Sequence, residues 1–377
     1  MTGGVARAPT AVPFLDLAPM HEPLRPALLR EIDELIRSGS FVNGPQVARF
    51  EDAFARYCGA AACVGVASGT DALRLALLAA GLEPGDEVIV PASTFIATLE
   101  AVTQAGGRPV LADIGERDRT LDPEAAAAAL TPRTRFVLPV HLYGHMADLR
   151  AIGALADRHA VQVVEDACQA HGARRDGLTA GTGGVAGAFS FYPGKNLGAM
   201  GDAGAVVSDD AELARRVRAL REHGQLRKHE HDVVGSTSRL DTIQAVVLLH
   251  KLPRLDAWNR ERRAAAAFYD RALAGIAAVD RPAVAPGSEP VWHLYVIRTP
   301  CAAELGEALR RAGIATGRHY PTPPHLTPAY RHLGHRAGDF PVAERLAAEG
   351  LSLPIFPGIT EAQLTAVADG VAAFFGG

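Results

Sequence analysis

Lysine is nearly missing from this chain. Its 377 residues include 38 Lys plus Arg, yet only Lys195, Lys228 and Lys251 are lysines. Chemistry that needs a side-chain primary amine therefore has three candidates. Acidic residues outnumber basic ones and the net charge is −4. That excludes a basic field that would draw nucleic acid or an anionic membrane. Cysteine is scarce too. Cys58, Cys63, Cys168 and Cys301 form no paired metal spacing and read as buried thiols of a reducing compartment. Long apolar runs are absent, and Ala125 to Leu130 is far too short to span a bilayer. The first residues lack the apolar stretch of a secretory signal, so a cytoplasmic location is the expectation.

What is present is a large apolar fraction, 48% of residues, enough for a sizeable core and too much for a disordered chain. Apolar runs alternate with helical patterns. Strands are expected at Glu87–Pro91, Arg108–Ala112, Thr134–Leu142, Val161–Glu165, Ala188–Tyr192 and Gly204–Ser208. Helices are expected at Thr98–Ala105, Pro123–Leu130, Asp148–His159 and Ala211–Arg221. This βα alternation predicts an α/β domain with a mostly parallel sheet. From Arg239 a long helical stretch broken at Pro253 runs to Ala274. An α+β region follows, with strands at Val291–Arg298 and near Gly317–Tyr320 and a helix at Ala302–Ala312.

Three segments carry candidate chemistry. Ser68-Gly-Thr-Asp71 opens an apolar helix, where backbone N–H groups and a hydroxyl meet the positive end of the dipole. The same turn is also an ordinary N-cap. Asp166 follows a very apolar strand, at the edge where open α/β sheets bind ligands, or it caps the next helix. Lys195 sits in a Gly- and Pro-rich turn after another strand, where desolvation would make its amine a nucleophile. Lys251 ends an amphipathic helix and reads as a solvated surface residue, and Lys228 lies in a charged stretch. His229-Glu-His-Asp232 is consecutive sequence that does not converge on one ion, so no metal is expected. Gly181-Thr-Gly-Gly184 lacks the context of a dinucleotide fingerprint. An anion turn, an acid and a lysine together suit one cofactor. Pyridoxal 5'-phosphate has a phosphate, a ring nitrogen that must stay protonated and an aldehyde that joins an amine.

The chain resembles the DegT/DnrJ/EryC1/StrS family of pyridoxal-phosphate-dependent sugar aminotransferases. The resemblance runs through Pro13-Phe-Leu-Asp-Leu17, Ser68-Gly-Thr-Asp-Ala-Leu73, Pro91-Ala-Ser-Thr-Phe-Ile-Ala-Thr98 and Pro139-Val-His-Leu-Tyr-Gly144. It continues through Glu165-Asp-Ala-Cys-Gln169, Phe189-Ser-Phe-Tyr-Pro-Gly-Lys-Asn-Leu197, His319-Tyr-Pro321 and Leu351-Ser-Leu-Pro354. It implies the fold-type-I, aspartate-aminotransferase-like architecture: an N-terminal segment (1–25), a large α/β/α cofactor-binding domain (26–252) and a smaller C-terminal α+β domain (253–377). It implies that Lys195 carries the cofactor and moves protons, that Asp166 pairs with the ring nitrogen and that Gln169 meets the ring hydroxyl. Gly69, Thr70 and Ser190 would hold the phosphate and Phe95 would stack on the ring.

Family members are homodimers in which the segment matching Gly235-Ser-Thr-Ser-Arg-Leu-Asp241 reaches the partner's site. This chain has Thr237 where the family usually has Asn, which leaves Arg239 as the expected cross-subunit contact. The implied reaction moves an amino group from L-glutamate to a keto group of a nucleotide-linked sugar. The subgroup it looks most like acts at C3 of dTDP-3-keto-6-deoxyhexoses, with Tyr192, Lys228 and His319 near the sugar. Amination at C4 is the alternative, and a sugar dehydratase of the same fold is disfavoured because such relatives replace the lysine that Lys195 retains.

Overall fold

The structure is a computed structural model and describes residues 11–376. It begins with helices α1 (Ala18–His21), α2 (Arg25–Ser38) and α3 (Pro45–Cys58), then β1 (Ala62–Val66) and α4 (Gly69–Ala79). The βα run continues through β2 (Glu87–Pro91), α5 (Ala97–Gln104), β3 (Arg108–Ala112), α6 (Pro123–Ala128), β4 (Thr134–Val137), α7 (Leu149–His159) and β5 (Gln162–Asp166). The short strands β6 (Arg174–Arg175) and β7 (Leu178–Thr179) precede β8 (Ala186–Ser190), β9 (Gly204–Ser208) and α8 (Ala211–Arg221). A hairpin, β10 (Gln225–Arg227) and β11 (Glu230–His231), leads to α9 (Thr242–Lys251) and α10 (Leu255–Ala272). The remainder is β12 (Ser288–Glu289), β13 (Tyr295–Arg298), α11 (Ala302–Arg311), α12 (Pro341–Glu349), β14 (Gly350–Leu353) and α13 (Glu361–Gly376).

Seven strands form the central sheet in the order β1-β9-β8-β5-β4-β2-β3. All are parallel except β9, which runs against both of its neighbours. Period-two alternation gives the sheet two buried faces. Val64, Val66, Val88, Val90, Val164 and Val206 pack on one side with Leu73 and Leu77 of α4. On the other, Cys63, Phe189, Ala205 and Val207 pack with Phe50 and Phe54 of α3, while Ile89, Val137 and Val163 pack with Ile152 and Leu155 of α7. A separate cluster built on Tyr269, Tyr295, Leu305, Leu353 and Val367 joins α10, α11 and α13 to the β13–β14 pair.

The apolar runs locate the sheet well. Their ends are trimmed where the chain turns away: β4 stops at Val137, before Pro139, and β13 begins at Tyr295, after the positive-φ Trp292. Three expectations are corrected, and β1 and β14 are not among the expected strands. No strand forms near Gly317–Tyr320; Gly317 makes one isolated bridge with Ser352. β14 was hidden in a segment without alternation, because all four of its residues are buried. Cys301 is exposed, at the start of α11, rather than buried. Lys251 is fully buried rather than solvated.

The glycine-rich Gly181–Gly184 run also has a use. Glu165, wholly buried in β5, accepts the amides of Gly181 (2.7 Å), Gly183 (2.6 Å) and Gly184 (2.9 Å). His141 donates its Nε2–H to the same carboxylate at 2.7 Å, a tautomer set by its Nδ1 accepting the Ala147 amide at 3.1 Å. A Cβ on Gly184 would stand 2.3 Å from the Val163 carbonyl oxygen, so the loop closes only with glycine there. Removing the carboxylate strands four donors, two of them in fully buried bonds. Glu165→Ala is expected to cost about 3 kcal/mol or more of stability. A guanidinium unfolding midpoint equal to that of the parent protein would contradict this.

Candidate active site

The C-terminal ends of β1, β5 and β8 converge on a cleft of about 470 Å³. After β1, the Ser68 hydroxyl caps α4 by accepting the Asp71 amide at 3.1 Å. The capping duty thus falls to Ser68, and the Gly69 and Thr70 amides remain at the positive end of the dipole. Gly69 is required there. A Cβ would lie 2.6 Å from Ser190 Cβ and 2.9 Å from Cys168 Sγ, so the helix start abuts the end of β8. Both Thr70 and Ser190 line the cleft.

Asp166 ends β5 and is 6% exposed. Its carboxylate accepts the Thr98 hydroxyl at 2.8 Å and the Cys168 amide at 3.1 Å. Among the described residues these neutral donors are its partners, and no arginine or lysine is ion-paired with it. A buried carboxylate without a counter-cation suits a ligand that brings one. Lys195 lies across the cleft in the turn after β8, which its own amide closes on the Tyr192 carbonyl at 2.8 Å. Burial holds its amine below the usual lysine range, against the opposing pull of Cys168 and Asp166. The next residue, Asn196, locks the turn by donating to Asn259 and to the Val291 carbonyl, both at 2.9 Å.

Gln169 spans the floor. Its Oε1 accepts the Tyr143 amide at 2.7 Å, and its Nε2 donates to the Tyr320 hydroxyl at 3.2 Å. Phe95, half exposed, faces Tyr320 with ring centroids 5.2 Å apart. His319 bonds Ser352 Oγ through Nδ1 at 2.8 Å and stacks on Phe14 at 5.5 Å. Burial, then the Lys195 charge, pushes its pKa down to about 4, so its imidazole is neutral at pH 7. Tyr192 is exposed at the mouth.

The structure thus gathers Gly69, Thr70, Phe95, Asp166, Gln169, Ser190, Tyr192, Lys195 and His319 around one cleft. It does not bring in Lys228 or Arg239. Lys228 sits at the exposed turn of the β10–β11 hairpin. Arg239 makes an ion pair with Glu222 at 2.8 Å, and Thr237 Oγ1 pairs with His223 Nε2 at 2.9 Å. Sequence reasoning missed Phe14, Leu15, Arg262 and His293 in the cleft wall. Asn259 and Arg262 did leave a signal, because they fall on the buried stripe of α10 with Leu255, Ala266 and Tyr269.

A carboxylate lacking a cation, a desolvated amine and an anion-binding helix start fit pyridoxal phosphate in charge and in order. The profile of the DegT/DnrJ/EryC1/StrS aminotransferase family matches residues 24–372. The chain belongs to that family. It is therefore a pyridoxal-phosphate-dependent aminotransferase of fold type I. It is 49% identical to the dTDP-3-amino-3,4,6-trideoxy-α-D-glucose transaminase of Streptomyces venezuelae, over 96% of this chain and 95% of that protein. The crystal structure of S. venezuelae DesV superimposes with a TM-score of 0.95 at 49% identity, covering 97% of this chain and 98% of that one. NtdA from Bacillus subtilis, solved with bound pyridoxamine phosphate (PMP), superimposes at 0.91 with 32% identity, covering 99% of this chain and 87% of that one.

The lowered Lys195 pKa has a direct test. In cofactor-free protein its free amine is present at lower pH than in a lysine peptide. Amine labelling followed across pH by peptide mass spectrometry should show the Lys195 peptide labelled with its onset at lower pH than a free lysine peptide. Onset at or above the pH of a free lysine peptide would contradict the assignment.

Proposed function

We propose that this aminotransferase moves the amino group of L-glutamate to C3 of a dTDP-linked 3-keto-6-deoxyhexose, in the cytoplasm and as a homodimer. The observation that carries the reading is the unpaired Asp166 carboxylate facing the Lys195 turn across one cleft. The C3 position rests on likeness to the S. venezuelae transaminase, whose name specifies a 3-amino product.

Bound here, pyridoxal phosphate supplies an aldehyde to receive the amino group and a ring to accept the charge left on the substrate carbon. The protein's residues divide the remaining work. Asp166 holds a proton on the ring nitrogen, and Thr98 with the Cys168 amide fixes that carboxylate in place. The Lys195 amine, free of its proton nearer neutrality because burial disfavours the ammonium, holds the cofactor and then carries a proton between the reacting carbons. Gly69, Thr70 and Ser190 hold the phosphate at the start of α4, and Phe95 covers the ring. Tyr192 and the neutral His319 border the sugar, and Lys228, on the exposed β10–β11 hairpin outside the cleft, is the third residue that the family resemblance assigns to it. Phe14 and Leu15 add an apolar wall that suits a ring stripped of hydroxyls.

The dimer reading is supported by apolar surface. Phe41 and Val42 are more than half exposed beside Asp241 and Thr242, to which their backbone is bonded, and Ile243 is exposed next to them. A partner covering this patch would meet the Thr237–Arg239 segment. Arg239, released from Glu222 or shared with it, is then the cross-subunit contact to the partner's cofactor.

The reaction is tested with holoenzyme, L-glutamate and a panel of dTDP- and UDP-linked keto sugars. We expect 2-oxoglutarate and a 3-amino sugar to form together, with the amine placed by NMR. An amine at C4, or no turnover with any keto sugar, would overturn the reading. Asp166→Asn should fold normally and slow the glutamate half-reaction by about 100-fold or more, since such preorganised charges contribute a few kcal/mol to a barrier. Half-reaction rates equal to those of the parent enzyme would remove Asp166 from its role.

A further inference from the structure

Lys251 is the last residue of α9 and is wholly buried. Among the described residues no carboxylate is paired with it. Its Nζ donates to the Gly198 carbonyl and to His21 Nε2, the latter at 3.1 Å, and lies 5.9 Å from the centre of the Trp258 ring. Burial pushes its pKa down to about 8. Burying an ammonium without a counter-charge is costly, and hydrogen bonds to neutral groups offset only part of that cost. Such a group calls for a reason, and its acceptor provides one.

Gly198 lies three residues beyond Lys195, in a turn that folds back tightly on itself. A Cβ at Gly198 would stand 2.3 Å from the Pro193 carbonyl oxygen, and the Ala199 amide donates to Phe191 at 2.7 Å. α9 grips the same loop a second time. Gln244 accepts the Met200 amide at 2.9 Å and donates to the Met200 carbonyl at 3.3 Å. The turn bearing Lys195 is therefore held on its far side by one helix, through a cation at one point and an amide at the other.

We propose that Lys251 is a positioning residue for Lys195: by binding the Gly198 carbonyl it sets the backbone of the 191–199 turn so that the Lys195 amine stands in the cleft beside Asp166. Lys251 acts through the backbone and touches neither cofactor nor substrate. The inference rests on the reading of Lys195 as the cofactor-bearing amine.

The test is Lys251→Met, which keeps the length of the side chain and removes its donor. Holoenzyme is compared with the parent by circular dichroism, by pyridoxal phosphate affinity, and by the pH midpoint of the absorption band of the lysine-bound cofactor. A folded variant whose cofactor Kd rises about tenfold and whose midpoint moves supports the proposal. A folded variant with both values unchanged overturns it. Should Lys251→Met not fold, Lys251→Gln, a neutral side chain of shorter reach, tests the same contact to Gly198, and a folded variant with both values unchanged there also overturns it. A Lys195→Ala control separates the two readings. If that control keeps the lysine-bound band, the assignment of Lys195 fails, whatever Lys251 does.

Discussion

A carboxylate buried at the end of a strand, with no cation of its own, is the constraint from which the rest of this molecule follows. Asp166 is held by a hydroxyl and a backbone amide, both neutral. Neutral donors orient a buried charge but do not neutralise it. The neighbour of Asp166 in the strand is satisfied in full. Glu165 takes three glycine amides and a histidine N–H, and anchors β5 to the 181–184 loop. Adjacent carboxylates, on opposite faces of one strand, thus serve opposite ends: Glu165 secures the strand and Asp166 awaits a cation.

The other site groups are placed by the same edge of the sheet. Gly69 brings the start of α4 into contact with Ser190, so a phosphate-sized anion and a protonated ring can be met from adjacent strand ends. Lys195 then needs a turn that is stiff in backbone and desolvated at the side chain. Stiffness comes from Asn196, bonded to Asn259 and the Val291 carbonyl, and from α9 behind it. Desolvation also acts on the histidines around it. His171 is pushed down to about 3 and His319 to about 4, so both imidazoles are neutral near pH 7.

Much of this was legible in the sequence, for a physical reason. Central strands buried on both faces appear as continuous apolar runs, and the parallel β2 and β3 and the antiparallel β9 fall on the expected residues. The residues at their C-terminal ends are where chemistry belongs in such a sheet, and Asp166 and Lys195 both line the cleft there. What stayed hidden depends on contacts distant in sequence. Lys251 looked solvated because a terminal lysine on an amphipathic helix usually is, and only tertiary packing places His21 and Gly198 around it. Phe14 and Leu15 enter the cleft because the amide and carbonyl of Val12 are tied to Gly313 and Ala315, a pairing some three hundred residues apart that no local pattern announces. Arg239 showed the opposite limit. Its spacing suggested an outward reach, and within the chain its guanidinium is taken by Glu222.

Because the chain has three lysines, the central claim reduces to a choice among three peptides. Holoenzyme treated with borohydride fixes the cofactor permanently to the amine that bears it, and digestion with mass spectrometry then identifies the modified peptide. The account predicts the cofactor's mass on Lys195 alone, at the turn between Tyr192 and Ala199. The mass on the exposed Lys228 or the buried Lys251, or on no lysine, would contradict it.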